Sequence, residues 1–514
     1  VSNAHLFVVL LASVVVLGLV AARTRVPSAV VLVGGAAALG LTPLVPELHL
    51  APDVILLVFL PPILFPAAAE FAREDVRTSI RAISMLAIGL VLLTLVTVAA
   101  AAHVLFDAPW AVAFVLGAIL APTDPVAATA LLRGAGAPDQ IATILEGESL
   151  VNDAVGLTAF RIAVASVGGT FALAPAVGKF LVVGAGGLAV GVAAGFVVVF
   201  LLRRLEELEL ESAIAVLSAY GSYLLSEEIG VSGILAVVAT GFVVGRRLTE
   251  VTSPETRLGA GSFWALVRYL AESMLFVLVG LVFAHALKVT GPNLLEVARN
   301  AGALAAAALL TRLAWMLTVP RLILRFQRRG PVPLVAPSEM LVLTLGGMRG
   351  AVSVAVALAI PLQVNGASFP GREQAVLAAL GAVVLLLVVP TLLLPVVVRR
   401  AGLQRPEESE ERDRRARLKL AEAAVARAGE LRDAGRVSEE LFERASEVYE
   451  ARTAILMDDP HTSPLHDHRG LDYAELLGEL RQAEREALQQ LEAAGEVHGG
   501  VARAIERDLD RASH

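Results

Sequence analysis

The sequence predicts an all-α, polytopic membrane protein with about thirteen transmembrane helices and a helical tail. Three observations carry that fold class. The 514 residues are 56% hydrophobic with a mean hydropathy of +0.72, above the roughly 45–50% apolar share of soluble domains. The apolar residues gather into runs of Val, Leu, Ala and Gly, each near the ~20 residues that cross a bilayer as a helix. The arginines cluster after every second run, as the positive-inside rule requires of a chain that weaves through a membrane.

In chain order, spans are read near 5–21, 27–43, 52–69, 80–102, 109–132, 147–168, 176–202, 211–226, 231–246, 262–287, 300–320, 337–362 and 373–398. Loops after the odd-numbered spans carry Arg23 and Arg25; Arg73, Arg77 and Arg81; Arg133; Arg203 and Arg204; Arg246, Arg247 and Arg257; Arg321, Arg325, Arg328 and Arg329; and Arg399 and Arg400. Loops after the even-numbered spans hold few, with Lys179, Lys288, Arg299 and Arg372 as exceptions. This alternation predicts an N-terminus outside and a tail in the cytoplasm. No positive region precedes the first span, which argues for a retained helix rather than a cleaved signal peptide. Residues 1–400 are thus expected to form a membrane domain and 401–514 a cytoplasmic helical domain rich in Glu, Arg, Ala and Leu. In that tail Leu418, Leu420, Ala424, Leu431, Leu441, Phe442 and Tyr449 suggest amphipathic helices, with a second helical stretch over 471–496. His461, His466 and His468 sit in a proline-containing linker and are read as a solvated loop rather than a metal site.

Composition also excludes classes. The net charge of −7 comes without the basic stripe that nucleic acid requires. The absence of Cys rules out disulfides and thiolate metal sites. No Gly-x-x-x-x-Gly-Lys-[Ser/Thr] loop is present, against an ATP-driven pump. Gly230-Val231-Ser232-Gly233 spells an intramembrane hydrolase pattern, but a suitably placed His is missing, His285 lying at a span's edge. A cation channel would need a selectivity filter, and none is legible.

Two spans are broken. The fifth contains Ala121-Pro122-Thr123-Asp124-Pro125, and the twelfth Gly346-Gly347-Met348-Arg349-Gly350. Two prolines cannot continue a regular helix, and opened backbone survives in a membrane only where protein or a cavity meets it. Their separation by seven spans fits two inverted six-helix repeats joined by the seventh, the layout of a secondary transporter. Ionisable residues inside spans mark function by default, because each costs roughly 2.5–3.5 kcal/mol at the bilayer centre. Glu148 and Asp153 stand in Gly147-Glu148-Ser149-Leu150-Val151-Asn152-Asp153 at the start of the sixth span. Helical spacing puts Ser149 and Asp153 on one face and Glu148 and Asn152 on another. Such oxygens suit a dehydrated monovalent cation or a proton. Arg312, deep in span eleven, needs an anionic partner, with Glu148 the first candidate. Glu272 is expected to pair with Arg268 or Arg349, and Arg161 to snorkel toward the outer surface.

Together with Phe59-Leu60-Pro61-Pro62-Ile63-Leu64-Phe65 and Ala271-Glu272-Ser273-Met274-Leu275-Phe276, these motifs occur in an order that resembles the sodium/proton exchanger branch of the cation:proton antiporters, the NhaP/NHE-like family. The resemblance covers roughly residues 1–400. It implies exchange of a monovalent cation, Na+ first and K+ as the alternative, for H+ without a cofactor or enzymatic step. It implies a homodimer in the lipid of a bacterial-type plasma membrane, with no nucleic acid and no known tail partner. A core bundle (about 80–168 and 300–398) would move against a dimerisation part (about 1–70 and 176–287). By resemblance, Asp153 alternately binds cation and proton, Ser149 and the Thr123 main chain are further ligands, and Asp124 supports the unwound crossover. Glu148 resembles the partner of Arg312, and Arg349 the charge that compensates the twelfth span's break. The Asn152-Asp153 pairing resembles the electroneutral branch. One departure stands out. Many members carry an acid just after Pro-Pro-Ile-Leu-Phe, and here that position is Pro66, with Glu70 four residues on. Either a ligand is lost or Glu70 replaces it after local unwinding.

Overall fold

A computed structural model describes residues 3–401 apart from 25–26, 43–51, 73–82, 127, 130–131, 133–138, 168–172, 206, 252–253, 290–293 and 327–336, and scattered positions from 426 to 443. Two compact units divide the chain, Val1–Arg405 and Pro406–His514. In the second, Arg432 lies against Asp433 and Glu439 and over the ring of Phe442. The histidine linker and the second helical stretch fall outside the described residues.

The first unit is helical. Its elements are α1 (Asn3–Arg23), α2 (Ser28–Gly40), α3 (Pro52–Phe71), α4 (a π-helical turn Met85–Leu90 running into Val91–Phe106), α5 (Trp110–Leu120), α6 (Asp139–Ala165) and α7 (Leu173–Leu202). Then come α8 (Leu208–Glu228), α9 (Gly233–Val251), α10 (Pro254–Val289), α11 (Leu294–Phe326), α12 (Pro337–Gly346), α13 (Ala351–Leu358) and α14 (Arg372–Ala401). Between α13 and α14 a short antiparallel hairpin pairs β1 (Gln363–Val364) with β2 (Ala367–Ser368), Gln363 opposite Ser368. Among the described residues seven helices are long and apolar enough to cross a membrane. The α12–α13 stretch differs from the rest: 94% of its apolar window is buried, against 33% for those of α7 and α11. The interrupted segment is therefore enclosed by protein, while α7 and α11 expose apolar faces suited to lipid.

Sequence expectation and structure differ at α6. Its helix begins at Asp139, two turns before the apolar run read from 147. Hydropathy drops over Asp139–Glu146, which hides the helix start from an apolar-run criterion. Glu148 and Ser149 are consequently mid-helix, and a first-turn capping role does not explain them.

Packing divides the helices into two groups. One contains α1–α3 with α7–α10, where α9 packs chiefly on α7 and α3, and α10 on α2. The other contains α4–α6 with α11–α14, where α11 packs on α14 and α4, and α5 on α4 and α6. In the first group small residues set the spacing, as they do when apolar lipid removes the hydrophobic drive between helices. Gly187 and Gly191 of α7 lie against the backbone of α9 at Ser232 and Ala236, and the Thr240 hydroxyl donates to the Gly191 carbonyl at 3.1 Å. Gly241 and Gly245 of α9 lie against α3. Helix α3 passes through Pro61, Pro62 and Pro66 without unwinding. Pro62 cannot donate to the Val58 carbonyl, and the Tyr220 hydroxyl of α8 donates to it instead, at 3.2 Å. Glu70 thus occupies a regular helical turn, so of the two alternatives for the position of Pro66, local unwinding of α3 is not observed.

A Cβ at Gly245 would fall 2.1 Å from the Ala69 carbonyl oxygen, with Ala69 backbone atoms on the same side. Gly245→Val is expected to destabilise the protein by about 1–3 kcal/mol through overpacking, read as a lowered thermal midpoint in detergent.

Candidate functional site

The two broken segments meet at the centre of the second helix group. Helix α5 stops at Leu120, the chain continues extended through Pro122–Pro125, and helix resumes at Val126. Helix α12 stops at Gly346, Gly347–Gly350 is extended, and α13 starts at Ala351. The Asp124 N–H donates to the Met348 carbonyl at 2.8 Å, joining one break to the other. Gly350 permits this closeness, since a Cβ there would lie 1.7 Å from Asp124 Oδ2.

Each break exposes a carbonyl end and an N–H end, and charged side chains meet them with the sign the helix dipole favours. The Asp124 carboxylate accepts from the Val126 N–H at 3.0 Å and from the Ala351 N–H at 3.3 Å, serving both N-terminal ends. Arg349 donates to the Leu120 carbonyl at 2.8 Å and to the Gly347 carbonyl, bridging both C-terminal ends. Arg312, fully buried, donates to the Leu343 carbonyl through Nε at 3.0 Å and Nη2 at 2.9 Å. The Ser353 hydroxyl donates to the Ile119 carbonyl at 2.8 Å.

Glu148 and Arg312 form a two-pronged ion pair, Nη1 to Oε1 and Nη2 to Oε2 at 2.7 Å, with side chains 1% and 2% exposed. Such forked pairs match guanidinium to carboxylate geometry. The Thr123 hydroxyl donates to Glu148 at 3.2 Å and accepts from the Asn152 amide at 2.7 Å. Asn152, Thr123, Glu148 and Arg312 therefore form one continuous buried layer. Beside it opens a cavity of about 250 Å3 lined by Asp153, Ser149 and Asp124, together with Glu70, Glu146, Arg268 and Glu272. Asp153 is 5% exposed, and its carboxylate makes no hydrogen bond among the described residues.

The sequence-predicted residues thus separate. Asp153, Ser149, Asp124 and Glu272 reach the cavity wall, while the Thr123 and Asn152 side chains lie behind it. Glu272 forms no ion pair among the described residues. Arg349 is committed to backbone carbonyls, and Arg268 lies 3.7 Å from Glu70. Arg161 is ion-paired within the protein. Its Nη1 donates to both carboxylate oxygens of Glu227 and its Nη2 donates to the Tyr223 hydroxyl at 3.1 Å, because α8 brings a carboxylate to its level. Glu227 in turn accepts from the Gly233 N–H at 3.0 Å, at the start of α9. Glu146 and Thr129 are lining residues that sequence reasoning missed. Glu146 shares a helical face with Ser149 and Asp153, a signal that becomes readable once α6 begins at Asp139.

Enclosed broken helices, compensated ends and a small acidic cavity define a class, the ion-translocating secondary transporters. The chain belongs to the sodium/hydrogen exchanger family: the family's transmembrane model matches residues 9–400. This is a family of polytopic membrane antiporters exchanging cations for protons, not of enzymes. The chain is 31% identical to an uncharacterised Na+/H+ exchanger of Mycobacterium tuberculosis over 98% of its own length and 94% of the relative's. It is 30% identical to the Na+/H+ antiporter ApNhaP of Aphanothece halophytica, over 69% of this chain and 66% of that one. It is also 30% identical to a sodium, potassium, lithium and rubidium/H+ antiporter of Bacillus pumilus, over 74% and 59%. The fold is similar to that of the sodium proton antiporter MjNhaP1 from Methanocaldococcus jannaschii, with a TM-score of 0.60 at 17% identity over 78% of this chain and 98% of that one.

Removing one member of the Glu148–Arg312 pair leaves its partner's charge buried alone. Arg312→Gln and Glu148→Gln are each expected to cost about 3–5 kcal/mol. The double variant should fall well short of the sum of the two, read from thermal midpoints in detergent and confirmed as a double-mutant cycle.

Proposed function

We propose that the protein is a Na+/H+ antiporter in which Asp153 is the single carboxylate shared by the two ions. One observation carries this reading. In the charged layer around the breaks, Asp124 serves two helix N-termini and Glu148 is matched by Arg312, whereas Asp153 faces the cavity with no hydrogen-bond partner among the described residues. A carboxylate so placed takes either a proton or a cation, with Ser149 beside it as an oxygen ligand and the Thr123 main chain near the break as a further one. Competition for one acid couples the two fluxes without another energy source.

Coupling without leak requires the site to face one side at a time. The helix group α4–α6 with α11–α14, which holds the broken segment of each inverted half, is the body that carries the site past the other group. Asn152 is neutral, so each half-cycle moves one positive charge and exchange is electroneutral. The arginine distribution supports an N-terminus outside and a tail in the cytoplasm, and the protein is assigned to a bacterial-type plasma membrane. The group with α1–α3 and α7–α10 is the dimerisation part of a homodimer. A second reading, K+/H+ exchange, is favoured by one observation. Pro66 leaves no acid at its turn, and Glu70 lies at the cavity rim with its side chain 62% exposed. A relative named for sodium, potassium, lithium and rubidium transport shows that breadth on a related chain.

In proteoliposomes, Asp153→Asn is expected to abolish cation-driven proton movement while the protein elutes as folded material on size exclusion. Cation-dependent proton flux surviving in that variant would overturn the assignment. Asp153→Glu should keep the fold and lose cation affinity. Wild-type flux driven by sodium, potassium and lithium, with and without an imposed membrane potential, reads selectivity and stoichiometry together. An electroneutral exchanger is expected to ignore the potential.

A further inference from the structure

Arg268 of α10 is the sole cationic side chain among the described residues that line the cavity, opposite Glu70, Asp124, Glu146, Asp153 and Glu272. A cleft lined by one sign of charge within low-dielectric walls concentrates counter-ions, so a fixed cation there works against the cargo. The role of Arg268 differs from that of Arg312. Arg312 is buried, forked to a carboxylate and bonded to backbone. The Arg268 guanidinium is 3.7 Å from Glu70 Oε2, beyond hydrogen-bond distance, with side chains 31% and 62% exposed. A pair so exposed contributes at most about 1 kcal/mol, and its guanidinium is readily released.

Resting on the reading of Asp153 as the exchange site, we propose that Arg268 is a tethered counter-cation. It competes with the transported ion for the acidic mouth of the cavity, and Glu70 holds it back. Two features supply the alternative positions this requires. Glu272 stands one turn further along α10 on the same face, and Asp124 lies within electrostatic reach, so a guanidinium released from Glu70 has carboxylates deeper in the cavity to approach. A second cavity of about 300 Å3, walled by Phe65 and Trp264, also borders Glu70 and Arg268 and gives the guanidinium room to withdraw. Glu70 therefore decides how often Arg268 lies in the cation's path. Both residues act on apparent affinity, neither as a ligand.

The test uses the full chain in proteoliposomes, with initial rates of proton flux measured against sodium concentration and, in parallel, potassium. Arg268→Gln is expected to lower the KM for the cation about three- to tenfold, the scale of removing one unit charge near a partly screened site. Glu70→Gln should raise KM by a comparable factor, because the arginine moves inward. The double variant should behave as Arg268→Gln, since the effect of Glu70 runs through the arginine. Arg268→Lys, which keeps the charge, should stay within about twofold of wild type, an outcome that a purely structural role for the guanidinium does not give. An unchanged or raised KM in Arg268→Gln, or a Glu70→Gln effect that persists without the arginine, overturns the proposal. Asp153→Asn measured alongside separates the two readings. Activity surviving in Asp153→Asn removes the exchange-site assignment, whereas an inactive Asp153→Asn with an unaltered KM in Arg268→Gln removes only the role of Arg268.

Discussion

Opening a helix inside a membrane leaves backbone N–H and C=O groups that lipid cannot satisfy, and that constraint governs the rest of this structure. Two openings placed together give four half-helix ends, two of each polarity. One aspartate and two arginines meet them. Asp124 lies between the N-terminal ends at Val126 and Ala351, and Arg349 and Arg312 hold the carbonyls of Leu120, Gly347 and Leu343. The two openings are tied together, because Arg349 bonds carbonyls of both breaks and Asp124 accepts from N–H groups of both.

The second arginine brings a second requirement. Two guanidinium groups facing one carboxylate would leave buried positive charge, and Glu148 supplies the balance through its forked contact with Arg312. Thr123 and Asn152 extend that pair back to the first break, so the charged layer is neutral and internally hydrogen-bonded. Neutrality of the layer is what sets Asp153 apart. It is an additional carboxylate, in the same helix as Glu148 but on a different face, turned to the cavity that Ser149 also lines. The machinery that stabilises the breaks and the acid proposed to exchange ions occupy adjacent faces of α6, five residues apart.

Helix packing complements this arrangement. In the first group, glycine stripes on α7 and α9 bring backbones together, and the polar contacts there are local repairs such as Tyr220 on the Val58 carbonyl. In the second group, charge and opened backbone dominate the centre. Where α6 meets the first group, Arg161 donates to Glu227 of α8, a polar contact between the groups on the helix that also carries Asp153.

Much of this was legible in the sequence. Apolar runs, the arginine alternation, the two breaks and the intramembrane acids are local signals, and family membership followed from the same motifs. Pairing was legible only where one buried charge had one plausible opposite, as for Arg312 and Glu148. Elsewhere local reading failed for identifiable reasons. The start of α6 at Asp139 lies in a polar stretch, so hydropathy hid it and with it Glu146. Glu227, the partner of Arg161, is on a helix more than sixty residues away. Glu272 had two arginines within reach on paper and forms an ion pair with neither among the described residues: Arg349 is bonded to backbone carbonyls, and Arg268 lies 3.7 Å from Glu70. The sequence by itself determined that this is a membrane-spanning antiporter of known family, because composition and motif order are properties of the chain. Which polar residues face the cavity, and which half-helix end each charge meets, was decided only by tertiary structure. That division depends on how two distant openings cross, and crossing geometry is not written in the spacing of either one.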